Sequence, residues 1–210
     1  MANPTTVPGD LVVPGALRVT GAITPTKSRT DIIAQSELQP FIIPWDAWKI
    51  WNSAANAILP GTPATDDLGL VVGTLGSASH SIQTEDLKTA NVTSYARCQI
   101  AMPWSYEDGQ TVKLRFHAGM LTTISDGTAT LDVQAYETDE AAGVGSDICA
   151  TAATTINSVT LADIDFLITA TSLVSGDLLD IRIAIAINDG ATGTAVKGII
   201  AAAKLLCDVR

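Results

Sequence analysis

Acid–base chemistry in this chain would have to run through two histidines. His80 lies in the Ser/Thr-rich stretch SASHSIQTED, which reads as a loop, and His117 alternates with Arg115 on the polar side of an apolar pattern. Neither sits beside a G-x-S-x-G nucleophile elbow. Paired acids occur at Asp66/Asp67, Glu85/Asp86, Glu107/Asp108 and Asp139/Glu140, and one residue apart at Asp163/Asp165. Carboxylate pairs can chelate a hard cation, but no segment follows the twelve-residue calcium-loop pattern, so they read as solvated loop acids. Cys98, Cys149 and Cys207 are odd in number and widely spaced, which fits buried small hydrophobes rather than a disulfide framework or a zinc knuckle. No glycine loop that could cradle phosphate and no helix-borne His-Glu pair is present. These residues predict no catalytic, metal-binding or cofactor-binding constellation, and a protein that is not an enzyme.

The aromatic residues are more pointed. Three of the four tryptophans fall in PWDAWKIWNSAANAIL, at Trp45, Trp48 and Trp51. Their spacing of three, with Pro44 suited to a first turn, predicts a short helix carrying three indoles on one side. The expected use is core or subunit-interface packing, with sugar stacking as the alternative. Stacking platforms normally come with hydrogen-bonding or basic neighbours, and only Lys49 stands close in sequence. An exposed cluster around Trp45–Trp51, Trp104 or Tyr106 would favour glycan recognition.

The elements that must position these groups read as strands. Charged residues make up only 16% of the chain against 47% apolar, so Thr, Ser, Asn and Gln must carry the polar surface. In LLDIRIAIAIND, Ile181, Ile183, Ile185 and Ile187 alternate with Arg182, Ala184 and Ala186, which a strand places on opposite faces. TVKLRFHAGM puts Val112, Leu114, Phe116 and Ala118 inward and Lys113, Arg115 and His117 outward. TATLDVQAYETD likewise separates Ala129, Leu131, Val133 and Ala135 from Asp132, Gln134 and Tyr136. Asp-Gly turns at 108–109, 126–127 and 189–190 punctuate the series. Further strands are expected over 69–75, 94–103, 166–171 and 195–209, about eight in all, with excursions at 76–93 and 137–163. The fold class is all-β, a jelly roll or related antiparallel β-sandwich. The net charge of −10, with no basic stripe, excludes direct nucleic-acid binding. No long uncharged apolar run marks a membrane span.

The first forty residues are neutral and have their own rhythm. Gly9, Gly15 and Gly21 recur six residues apart, followed by Leu11, Leu17 and Ile23, with Val13 and Val19 completing a G-x-L-x-V-x unit. Three such units cannot bury their own apolar faces. Residues 1–30 are therefore expected to form an extended β-repeat arm, residues 31–66 a linker with the short Trp-containing helix, and residues 67–210 the sandwich body. The run GDLVVPGALRVTGAITP resembles repeats near the starts of tailed-bacteriophage capsid decoration (cement) and head-fibre proteins. That resemblance implies a structural virion protein, a homotrimer fastened to the major capsid protein on the outer capsid surface. Leu11, Val13, Leu17, Val19 and Ile23 would make the oligomer or shell contact, with Trp45, Trp48 and Trp51 as interface aromatics. The alternative is a tail-fibre or adhesin domain that binds a host surface glycan.

Overall fold

The computed structural model describes residues 38–52, 57–64, 66–138, 145–190, 193–194 and 196–209. The arm residues Leu11, Val13, Leu17, Val19 and Ile23 lie outside that set. Among the described residues ten strands run in the order β1 (Gln39–Ile42), β2 (Gly69–Val71), β3 (Ser81–Gln83), β4 (Asn91–Ala101), β5 (Val112–Met120), β6 (Thr128–Thr138), β7 (Thr154–Thr155), β8 (Ala162–Ile168), β9 (Leu178–Asn188) and β10 (Gly198–Cys207). They form two antiparallel sheets. The larger has the order β2-β3-β10-β5-β8, with β1 also paired to β10, and the smaller has the order β4-β9-β6-β7. From β4 to β6, and again from β8 to β10, successive strands cross between the sheets. This is a jelly-roll-like β-sandwich with very little helix, in agreement with the alternating sequence pattern.

The core lies where the inward rows meet. Ile181, Ile183, Ile185 and Ile187 of β9 are buried, and β9 is flanked by β4 and β6 along its length. Each such side chain contributes roughly 1.5–3 kcal/mol on burial. Leu114 and Phe116 of β5 face them from the larger sheet, and Phe116 meets Phe166 edge-on with ring centroids 5.9 Å apart. Turn glycines sit where geometry demands them. Gly176, at φ +93°, opens β9, and a Cβ on Gly127 would collide with the Asn188 carbonyl.

Four elements depart from the sequence reading. Residues 39–42, within the stretch read as linker and helix, form an edge strand on β10, where Pro40 opposite Leu206 is tolerated. β3 and β7 lie inside the two excursions. The helix expected across the tryptophans shrinks to a 3₁₀ turn, Trp45–Ala47, and the chain then runs extended. Lys49 exchanges hydrogen bonds with Arg97, N–H to carbonyl at 2.7 Å and 3.0 Å, so this segment edges the smaller sheet beside β4.

Candidate functional site

That edging strand places the tryptophans in three different environments. Trp48, 1% exposed, is a core residue with its ring centroid 6.2 Å from that of Phe116. Trp45 borders an open cleft of about 600 Å³ lined also by Leu75, His80 and Ala201. Trp51 packs on Tyr95 of β4 at 4.6 Å between centroids, half-buried on the outer side of the smaller sheet. The spacing of three therefore does not produce one apolar stripe, because the chain stays extended and crosses from one sheet to the other. Trp48 lies in the core, and Trp45 is partly buried against it.

The outer face of the smaller sheet gathers the richest set of recognition chemistry in the described residues. Alternation sends Tyr95, Arg97 and Gln99 of β4, Asp180 and Arg182 of β9, and Asp132, Gln134 and Tyr136 of β6 to the same side. Register aligns them in rows. Arg182 lies opposite Arg97 on one flank and Gln134 on the other, while Asp180 lies between Gln99 and Tyr136. Cross-strand neighbours of this kind have Cβ atoms about 4.5–5.5 Å apart.

Electrostatics distinguishes the two arginines. Arg97 grips Asp180 through both Nε, at 2.6 Å, and Nη2. Asp180 is only 6% exposed, and the hydrogen bond to it raises the Arg97 pKa above its ordinary value. Arg182 has no carboxylate partner among the described residues. Its Cζ lies 5.1 Å from the Tyr95 ring centroid and 5.5 Å from that of Trp51, so cation–π contacts hold it. Its Nε is buried without a hydrogen bond, as is the Trp51 Nε1. The Tyr136 hydroxyl donates to Gln134 Oε1 at 3.2 Å, fixing the amide beside Arg182. A half-buried indole–phenol pair, a cation stacked on it, and amide and hydroxyl groups along adjacent strands can stack a ring and hydrogen-bond its substituents.

The other candidates are placed as follows. His80 accepts the Gly73 N–H through Nδ1 at 3.2 Å, in the cleft beside Trp45. His117 Nδ1 sits 2.8 Å from Asp163 on the outer face of the larger sheet. There Arg115 binds Asp165 through Nε at 2.6 Å and Nη2 at 2.9 Å, and Lys113 reaches the same carboxylate at 3.4 Å. The Arg115 hydrogen bond, foremost, holds the Asp165 carboxyl below its ordinary range. Burial and the neighbouring Asp66 push Asp67 upward. Tyr106 is buried, its hydroxyl donating to the Gln110 carbonyl, and desolvation pushes its pKa up to about 12. Trp104, by contrast, is 84% exposed and lies against Gly176 at one end of the sandwich. Cys98 and Cys207 are buried and free, and burial raises both thiol pKa values, Cys207 to about 11. Among the described residues, no group of three or more His, Cys, Asp or Glu is placed to hold a metal, and no helix is long and apolar enough to cross a membrane.

No protein-family model matches the chain, and no curated protein matches it. Solved structures do. The CBM22-1 xylan-binding domain of Xyn10C from Paenibacillus barcinonensis superposes with a TM-score of 0.39 at 10% identity, over 69% of this chain and 83% of that one. The xylan-binding module CBM15 gives a TM-score of 0.39 at 12% identity, over 82% and 99%. A putative sugar binding protein from Bacteroides thetaiotaomicron gives 0.36 at 12% identity, over 81% and 88%. At these values the likeness concerns the β-sandwich fold alone. It nonetheless corrects the expected kinship with tailed-bacteriophage cement or head-fibre proteins, because the structures it resembles are β-sandwich modules of other kinds. The reading as a virion protein reinforcing capsomers is withdrawn with it.

The sequence reading had Gln134, Tyr136 and Arg182 on outward strand positions but did not join them. Tyr95 and Arg97 went unnoticed. The usable signal was the outward row of the two best strands, which carries Arg, Gln and Tyr where a merely solvated face needs only Thr or Ser.

Proposed function

We propose that the protein is a non-catalytic glycan-binding module that captures carbohydrate on the outer face of the β4-β9-β6-β7 sheet. One observation carries the reading: Trp51 and Tyr95 pack together beside the stacked Arg182 guanidinium, flanked by Gln134 and Tyr136. Sugar rings present apolar C–H faces to aromatic rings and hydroxyls to planar polar side chains, and this face offers both. Tyr95, Gln134, Tyr136 and Arg182 stand on three long strands paired along their length through β9, which holds these side chains in fixed relation, and Trp51 packs against them from the segment beside β4. The two histidines do not converge with it: His117 belongs to the opposite sheet, and His80 to the Trp45 cleft.

The test is a glycan array followed by calorimetry on the ligands retained. Trp51→Ala and Tyr95→Ala should each weaken binding about thirtyfold, the loss typical of removing an aromatic anchor, with the thermal unfolding transition retained. Trp104→Ala should leave affinity unchanged. If Trp104→Ala abolishes binding while Trp51→Ala does not, the site belongs at the end of the sandwich and this assignment is wrong.

A further inference from the structure

Resting on that reading, we infer that the sugar captured at this site carries a carboxylate, which Arg182 and Gln134 bind together. The argument begins with a local imbalance of donors and acceptors. A guanidinium has five N–H donors and no acceptor. Arg182 spends none of them on a carboxylate or carbonyl among the described residues, and aromatic rings alone hold it in place. Directly across the strand, Gln134 has its carbonyl oxygen occupied by the Tyr136 hydroxyl, which turns the amide NH₂ into the free end. The two side chains thus form a patch of donors on the sheet face, one of them charged.

The neighbours do not neutralise it. Asp180, the nearest acid on the same strand, has both oxygens engaged by Arg97. Asp132 lies on the same face of β6, two residues from Gln134, and makes no ion pair with Arg182. With Asp132 nearby and a chain charge of −10, long-range steering opposes an anion. Recognition must come from contact. A planar guanidinium suits a planar carboxylate in two-point geometry, and such charge-assisted bonds are about twice as strong as neutral ones. A hydroxyl can accept from the same donors but leaves the charge unmatched. The ligand class is therefore a uronate-containing glycan, the carboxylate directed at Arg182 and the ring or its neighbour stacked on Trp51 and Tyr95.

The experiment uses oligogalacturonides, oligomannuronates and hyaluronan oligosaccharides, each beside the same oligosaccharide after reduction of its carboxyl groups to primary alcohols. A sulfated oligosaccharide series forms a third arm. The intact protein should bind at least one acid about tenfold to hundredfold more tightly than its reduced form, the range for a charge-assisted hydrogen-bond set. Arg182→Gln should erase that preference, and Arg182→Lys should retain only part of it. Equal affinity for acid and reduced forms, or a preference surviving in Arg182→Gln, overturns the carboxylate assignment while leaving glycan binding intact. Tighter binding of the sulfated series than of every uronate also overturns it. Binding to no member of any series, with Trp51→Ala silent as well, removes the glycan reading itself.

Discussion

The outer faces of the two sheets are built from similar materials to opposite ends. On the larger sheet, Lys113, Arg115 and His117 of β5 face Asp163 and Asp165 of β8 in register; Lys113 and Arg115 form ion pairs with these carboxylates, and His117 Nδ1 lies 2.8 Å from Asp163. On the smaller sheet, Arg97 and Asp180 satisfy each other, but among the described residues Arg182 is held by aromatic faces alone. The first face has closed its electrostatic accounts internally and has little left to offer a ligand. The second retains a charged donor, a free amide and a stacking surface. A recognition site is distinguished here by what remains unmatched, not by how many polar groups it holds.

The comparison breaks most visibly at Arg97. Replacing it with Gln strands Asp180, which is almost fully buried, without its partner. The expected loss is roughly 2–3 kcal/mol in urea unfolding, below the full cost of splitting a buried pair because the Arg97 side chain is itself half exposed. A loss under about 0.5 kcal/mol would show that water reaches Asp180 freely and that the pair does not brace the site.

Arg115→Gln probes the closed face and should cost less, about 1 kcal/mol at neutral pH, since both partners are partly solvated. Its pH dependence identifies the cause. Asp165 has a folded-state pKa depressed below the ordinary 3.8, so its contribution is fully present above that value and is lost as pH falls through the folded pKa. Wild type and Arg115→Gln should therefore differ in denaturation midpoint at pH 7 and converge near the acid end of the range. A gap that persists unchanged in acid would assign the effect to packing of the arginine stem.

The closed face was far more legible in the sequence than the open one. Alternation in β5 is strict and sets Lys113, Arg115 and His117 in one outward row, whereas the equally strict alternation of β6 and β9 gives the strands of the open face and their inward rows but not the site assembled across them. The short strands at 39–42, 81–83 and 154–155 carry no such signal, because pairing with a longer neighbour defines them. The tryptophan spacing misled for a physical reason. Period three resembles a helix, but Lys49 hydrogen-bonds across to Arg97 and the tertiary pairing overrides the local pattern. The open face escaped notice because its parts come from residues 51, 95, 134 and 182, which only strand register brings into adjacent rows.

The smallest expected change is the most discriminating. Arg182→Met keeps an apolar stem against Trp51 and Tyr95 but removes the guanidinium. The loss of cation–π contact costs about 0.5–1 kcal/mol, while deleting a buried, unpartnered Nε relieves about 1–3 kcal/mol. Stability should stay within about 0.5 kcal/mol of wild type or rise, as at sites where function opposes stability. Urea midpoints measured beside Arg97→Gln supply the contrast, one arginine strongly destabilising on removal and its cross-strand neighbour not. A loss of 2 kcal/mol or more at Arg182 would make it a structural brace like Arg97. The two faces would then differ only in composition, and the donor patch would no longer be available for a ligand.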